Sequence, residues 1–162
     1  MKPDIIEELF KMYYNDALLY IISLCKNKTI AEDIVSTSFF KALANADDNT
    51  ENFKAWLFTV CRNEFLTICR KKKHLSDKPP DENLIDENEL VIEKIIKKEE
   101  YKALYHAISL LPEKQREIVI LFYFSGMSVK AIANITEKNE NNIKVLLHRS
   151  RKHLKKILEE NV

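Results

Sequence analysis

The sequence predicts an all-α protein made of two small helical domains joined by an acidic flexible linker, and three observations carry that prediction. One glycine and four prolines in 162 residues are too few for the tight turns that a sheet protein needs. Apolar residues recur at three- and four-residue steps through long stretches rich in Leu, Ile, Lys and Glu, which is the period of a helix buried on one side. Residues 76–93 then change character, with Pro79-Pro80 and seven acids against the single Lys78. Such a segment reads as a solvated tether, and it parts a first domain, 1–75, from a second, 94–162.

The elements follow in order. A first helix from Asp4 to Lys26 carries Ile5, Ile6, Leu9, Phe10, Tyr13, Ala17, Tyr20, Ile21 and Leu24 as one stripe, with Asp4 beside Pro3 as its expected N-cap. A second begins at Thr29, where Thr29 and Glu32 have capping-box spacing, and buries Ile34, Val35, Phe39 and Leu43. After the loop 45–52 a third helix runs from Phe53 to Lys73 with Leu57, Val60, Cys61, Phe65, Ile68 and Cys69 on one side. Its other side holds Thr59, Arg62, Asn63 and Arg70, and it ends in Arg70, Lys71, Lys72 and Lys73, more cations than the helix dipole requires.

Beyond the linker a helix is expected around Lys94 to Leu110. Pro112 suits the first turn of the next, whose apolar side includes Ile118, Val119, Leu121, Phe122 and Tyr123, with Gly126 as a left-handed C-cap. Ser128 caps a short helix, Val129 to Ile135, and Asn139 caps the last, from Glu140 to about Leu158.

Composition removes several functions. The odd set Cys25, Cys61 and Cys69 lacks C-x-x-C spacing, which supports neither a disulfide framework nor a zinc site. The longest apolar run, Ala17 to Cys25, is too short to cross a bilayer, and an acidic amphipathic start is unlike a signal peptide. The expected compartment is the cytoplasm, without direct membrane insertion. No Gly-rich phosphate loop, H-E-x-x-H or nucleophile motif is present, so no enzyme activity, cofactor, metal or small-molecule substrate is expected.

The informative constellation lies near the C-terminus. From Ser128 onward the spacing is that of a helix-turn-helix, with small Ala133 where the helices approach and Ile143 ten residues later. Ile143, Leu147, Ser150, Leu154 and Ile157 form the inward stripe, leaving Asn141, Asn142, Lys144, Val145, His148, Arg149, Arg151 and Lys152 for DNA. Six Lys or Arg and no acid between Asn141 and Lys156 favour phosphate contact over a merely solvated face, which mixes signs. Glu137 stands where such turns commonly have glycine, and a positive φ there would be strained by roughly 1 kcal/mol; a longer or looser turn would avoid it.

Taken together, "AEDIVSTSFFKAL", "FKAWLFTVCRNEFLTICRKKK", "LPEKQREIVILFYFSGMSVKAIANI" and "NNIKVLLHRSRKHLKK" resemble the extracytoplasmic-function sigma factors of bacterial RNA polymerase, in order and over nearly the whole chain. The resemblance implies a first domain that binds the polymerase clamp and opens the minus-ten element, and a second that reads the minus-thirty-five element as duplex. It implies core RNA polymerase (clamp and flap), promoter DNA and an anti-sigma factor as partners. It places Glu32, Asp33 and Ser36 toward polymerase, although Ser36-Thr37 replaces a common Gln-Glu pair. The melted strand would meet Asn49, Asn52, Phe53, Thr59, Arg62, Asn63, Arg70, Lys71 and Lys72, and the acidic linker would enter a polymerase channel. Val145 and Leu146 depart from the small polar and basic residues usual in the family. A stand-alone helix-turn-helix regulator is the rival reading; it leaves the first 75 residues without a role.

Overall fold

The computed structural model describes residues 2–45, 52–72 and 82–160, with the side chains of 45 and 82–86 excepted. Among them are eight α-helices and no strand: α1 (Pro3–Cys25), α2 (Lys28–Asn45), α3 (Phe53–Lys72), α4 (Glu82–Ile95), α5 (Glu99–Ser109), α6 (Glu113–Val119), α7 (Val129–Thr136) and α8 (Glu140–Glu160). The all-α expectation holds. The chain divides into two compact units, Met1–Val91 and Ile92–Val162.

In the first unit α1, α2 and α3 pack mutually. The second half of α1 is buried on every side from Ala17 to Leu24, whereas Phe10, a member of the expected stripe, stays partly exposed. Ile34, Val35, Phe39 and Ala42 of α2 and Leu57, Phe58, Cys61 and Phe65 of α3 complete the core. Tyr20 and Phe58 stack at its centre with ring centroids 5.3 Å apart, an offset arrangement that adds to simple area burial. Leu43, expected inside, is exposed.

Two N-termini differ from expectation. Lys2 occupies the N-cap of α1, with Pro3 in the first turn and Asp4 inside the helix; proline costs nothing where the N–H has no intrahelical partner. At α2 the cap is Asn27, whose Oδ1 accepts from the Ile30 N–H at 3.1 Å, so Thr29 and Glu32 form no capping box. Asn27 competes successfully because it directly follows Lys26, which ends α1 in the left-handed conformation at φ 53°.

The expected tether is helical from Glu82 onward. α4 buries Val91 and Ile92, and Asn88 Nδ2 donates to the Lys26 carbonyl at 2.8 Å. An apolar stripe sufficed for a helix despite the acids around it. Residues 76–81 of that segment lie outside the described residues. The single helix expected from Lys94 to Leu110 is interrupted at 96–98, where buried Ile96 closes α4 with a 2.8 Å bond to the Ile92 carbonyl.

The second unit forms around Tyr105, Ile108, Ile118, Leu121, Ile132, Ile135, Ile143 and Leu147, with α8 packed on α5, α6 and α7. Pro112 takes the N-cap of α6. That helix continues into a π-helical turn, Ile120–Phe124, closed by Ser125 N–H to the Ile120 carbonyl at 3.1 Å. Gly126 follows at φ 67°, and Met127 N–H reaches the Leu121 carbonyl at 2.9 Å. The left-handed glycine cap expected there is present.

Candidate nucleic-acid interface

The helix-turn-helix is built by local bonds that the sequence encodes. Ser128 Oγ accepts from the Ala131 N–H at 3.1 Å and starts α7. At its end Glu137 takes φ 57°, ψ 39°, and its N–H returns to the Ala133 carbonyl. The Lys138 N–H binds the same carbonyl at 3.0 Å. The turn therefore keeps the left-handed geometry without glycine, and the longer or looser alternative is not used. Lys138 is half-buried. Asn139 Oδ1 then caps α8 through the Asn142 N–H at 2.8 Å, and Ile143, fully buried, fastens α8 to α7.

This fastening decides what α8 presents. Ile143, Leu147, Ser150 and Leu154 point inward. Asn141, Asn142, Lys144, Val145, His148, Arg149, Arg151 and Lys152 are all exposed. Helical geometry puts Asn141, Val145, His148 and Lys152 along the middle of that face, Lys144 and Arg151 on one flank, and Asn142, Arg149 and Lys156 on the other. Arg151 differs from its neighbours: its Nε donates to Tyr123 Oη at 2.8 Å, and its guanidinium lies 5.7 Å from the Phe122 ring centroid. Tyr123, expected in the core, is 46% exposed.

In the first unit the outward face of α3 unites Thr59, Asn63 and Arg70, one beneath the other at helical spacing. Asn63 and Arg70 are exposed, while the Thr59 hydroxyl donates to the Ala55 carbonyl at 2.9 Å and can still accept. Arg62 is half-buried on the flank, and Lys71 and Lys72 are exposed at the helix end. Asn52 is exposed just before α3; Asn49 lies outside the described residues. Phe53 corrects the expectation: it is only 5% exposed and packs against Tyr13, Phe39 and Trp56, so it belongs to the core and offers no face for a base to stack on.

On α2, Asp33 and Ser36 are exposed together, whereas Glu32 is half-buried, paired with Lys28 at 3.5 Å. The burial of Tyr14, and then the nearby Glu32 charge, push that phenol above its usual range. The same outward face holds Phe40, 71% exposed, two helical turns from Asp33. Helical spacing from the buried Ile34, Val35, Phe39 and Ala42 puts Phe40 opposite their stripe, a signal legible in the sequence.

Comparison with known proteins decides the family. Residues 9–75 match the family model for sigma-70 region 2 and residues 101–154 that for sigma-70, region 4. The ECF RNA polymerase sigma factor SigM of Bacillus subtilis is 30% identical over 160 residues, covering 97% of each chain. This chain belongs to the extracytoplasmic-function sigma factors. EcfG of Rhodopseudomonas palustris, another ECF sigma factor, is 32% identical over 86% of this chain and 77% of its own. Among solved structures, the sigma factor RpoE of Bartonella quintana, crystallised with the anti-sigma factor NepR, superposes with a TM-score of 0.69 at 25% identity, covering 94% and 96% of the two chains. As an ECF sigma factor the protein acts in promoter recognition and transcription initiation by RNA polymerase. Sigma factors are initiation factors without an enzymatic role of their own. No helix among the described residues is long and apolar enough to cross a membrane.

Proposed function

We propose that the protein holds core RNA polymerase through the outward face of α2 and engages a promoter with two separate helices. Asp33 and Ser36, with Phe40 added, form the polymerase-facing surface; an apolar ring amid polar groups is the kind of anchor that dominates protein interfaces. Glu32 acts through its Lys28 pair rather than by direct contact. The face of α3 with Thr59, Asn63 and Arg70, flanked by Arg62, Lys71, Lys72 and Asn52, takes the unwound minus-ten strand, joined by Asn49 of the preceding segment: amides and hydroxyl meet base edges, and the cations meet phosphates. Helix α8 reads the minus-thirty-five duplex. Strand capture and positioning fall to this chain, and bond-making to the polymerase. No cofactor or metal enters, the compartment is the cytoplasm, and an anti-sigma factor regulates access to polymerase.

The single observation that carries this reading is the one-sided exposed face of α8, six cations without an acid up to Lys156, fixed behind a completed turn. Residues 1–75 act as the clamp-binding and minus-ten domain, 94–162 as the minus-thirty-five domain, and the acidic segment between them as the connector. Gel shift with a promoter-bearing fragment tests it. The free chain is expected to bind weakly and to form stable complexes only with core polymerase. Equally strong binding without polymerase would support the rival, a stand-alone regulator.

A further inference from the structure

Tyr123 is an exposed aromatic residue that the roles described so far do not use. It stands on the π-helical turn Ile120–Phe124, and a π turn inserts one residue into a helix, rotating the side chains after it. The hydroxyl of Tyr123 accepts from Arg151 Nε at 2.8 Å. The Arg151 guanidinium also lies 5.7 Å from the Phe122 centroid and 6.0 Å from that of Tyr123, while the two rings meet edge to face at 5.0 Å and 80°. Tyr123 is the only hydrogen-bond partner of Arg151 among the described residues.

Resting on the reading of α8 as the duplex-binding helix, we propose that Tyr123, with Phe122, is a positioning residue that holds Arg151 as a preformed ligand for a DNA backbone phosphate. Three points lead there. Arg151 lies on the flank of the α8 face, and a helix in the major groove has base edges before its middle and phosphate strands beside its flanks. It is about 16 Å along the axis from the start of α8, more than the roughly 12 Å width of the groove, where the helix crosses the bordering strand. Finally, Tyr123 engages only Nε, so neither Nη group is used in a hydrogen bond among the described residues, and that pair is left to grip a phosphate. An arginine already held in place loses less rotamer freedom on binding than a free one.

The test uses the full chain and a fluorescein-labelled 30-base-pair duplex of mixed sequence, with anisotropy read from 50 to 300 mM salt. Arg151→Ala is expected to weaken binding about five- to tenfold and to lower the salt slope by about 0.9, one phosphate. Tyr123→Phe, which keeps the ring, is expected to weaken binding two- to fourfold with the slope unchanged. In the double variant Tyr123→Phe should add nothing to Arg151→Ala, a result that a general structural role would not give. Arg151→Lys should lose as much as Tyr123→Phe, since lysine has no Nε to place. If Tyr123→Phe binds like the natural chain while Arg151→Ala does not, or if their effects multiply, the positioning role is overturned. If Tyr123→Phe spares duplex binding but weakens assembly with core polymerase, Arg151 serves a protein carboxylate instead and the proposal also fails. A control, Lys144→Ala with Arg149→Ala and Lys152→Ala, separates the premise: unchanged affinity and slope there would overturn the duplex-binding role of α8 itself.

Discussion

Glu137 and Lys26 both adopt left-handed backbone, at φ 57° and 53°, although neither is glycine. Each lies where a helix must stop and the next begin within a few residues, and each peptide N–H still finds a carbonyl, Ala133 and Ile22 respectively. The hydrogen bond offsets a strain of about 1 kcal/mol. Glu137→Gly should therefore raise unfolding free energy by about 0.5–1 kcal/mol, less whatever glycine adds to unfolded-chain entropy; urea denaturation measures it, and a loss would mean Glu137 is held by something other than its N–H. Cys61 shows the opposite economy, fully buried with its thiol pushed up to about 12 by burial. In the unfolded chain it ionises above about 9, so folding holds a proton that unfolding releases between those values. Stability is unaffected by this group below about pH 9 and falls as pH rises from there toward 12. Cys61→Ala should lessen the alkaline part of that decline, and the native thiol should resist alkylation at pH 8 while the half-buried Cys25 and Cys69 react first.

At the scale of elements, periodicity gave the inward faces and geometry refined the outward ones. The three residues gathered on α3, Thr59, Asn63 and Arg70, were evident from spacing alone because helical spacing fixes azimuth. Phe53 opens its helix, where an aromatic can turn either toward the core or toward a loop, and packing against Tyr13 and Phe39 places it in the core, a contact that spacing alone does not encode. Asn63→Ala, a change on the exposed side, should leave the thermal midpoint within about 2–4 °C, since surface substitutions rarely exceed 0.5 kcal/mol. In the holoenzyme it should reduce permanganate reactivity of minus-ten thymines severalfold without altering duplex binding. Full reactivity would remove Asn63 from strand capture.

For the whole molecule, the proposed function has two weak contacts on one polymerase gain through effective concentration, with the connector setting which separations of promoter elements are reachable. Inserting about ten Gly/Ser residues after Lys78 is expected to lower transcription a few-fold on the best spacer and to flatten the dependence on spacer length. In vitro transcription from templates differing by one or two base pairs measures both, and an unchanged spacer profile would show that the connector sets no distance.

The sequence by itself determined the helical class, the caps at Ser128 and Asn139, the glycine stop at Gly126 and the one-sided charge of α8, because each depends on residues within a turn or two of one another. Only the tertiary structure decided that the acidic segment is helical from Glu82 onward, that Phe53 is core, that Phe40 is bare and that Arg151 rests on Tyr123. Those outcomes depend on which surface arrives opposite, and contacts such as Asn88 with Lys26 or Arg151 with Tyr123 join residues 62 and 28 positions apart, beyond the reach of any local pattern.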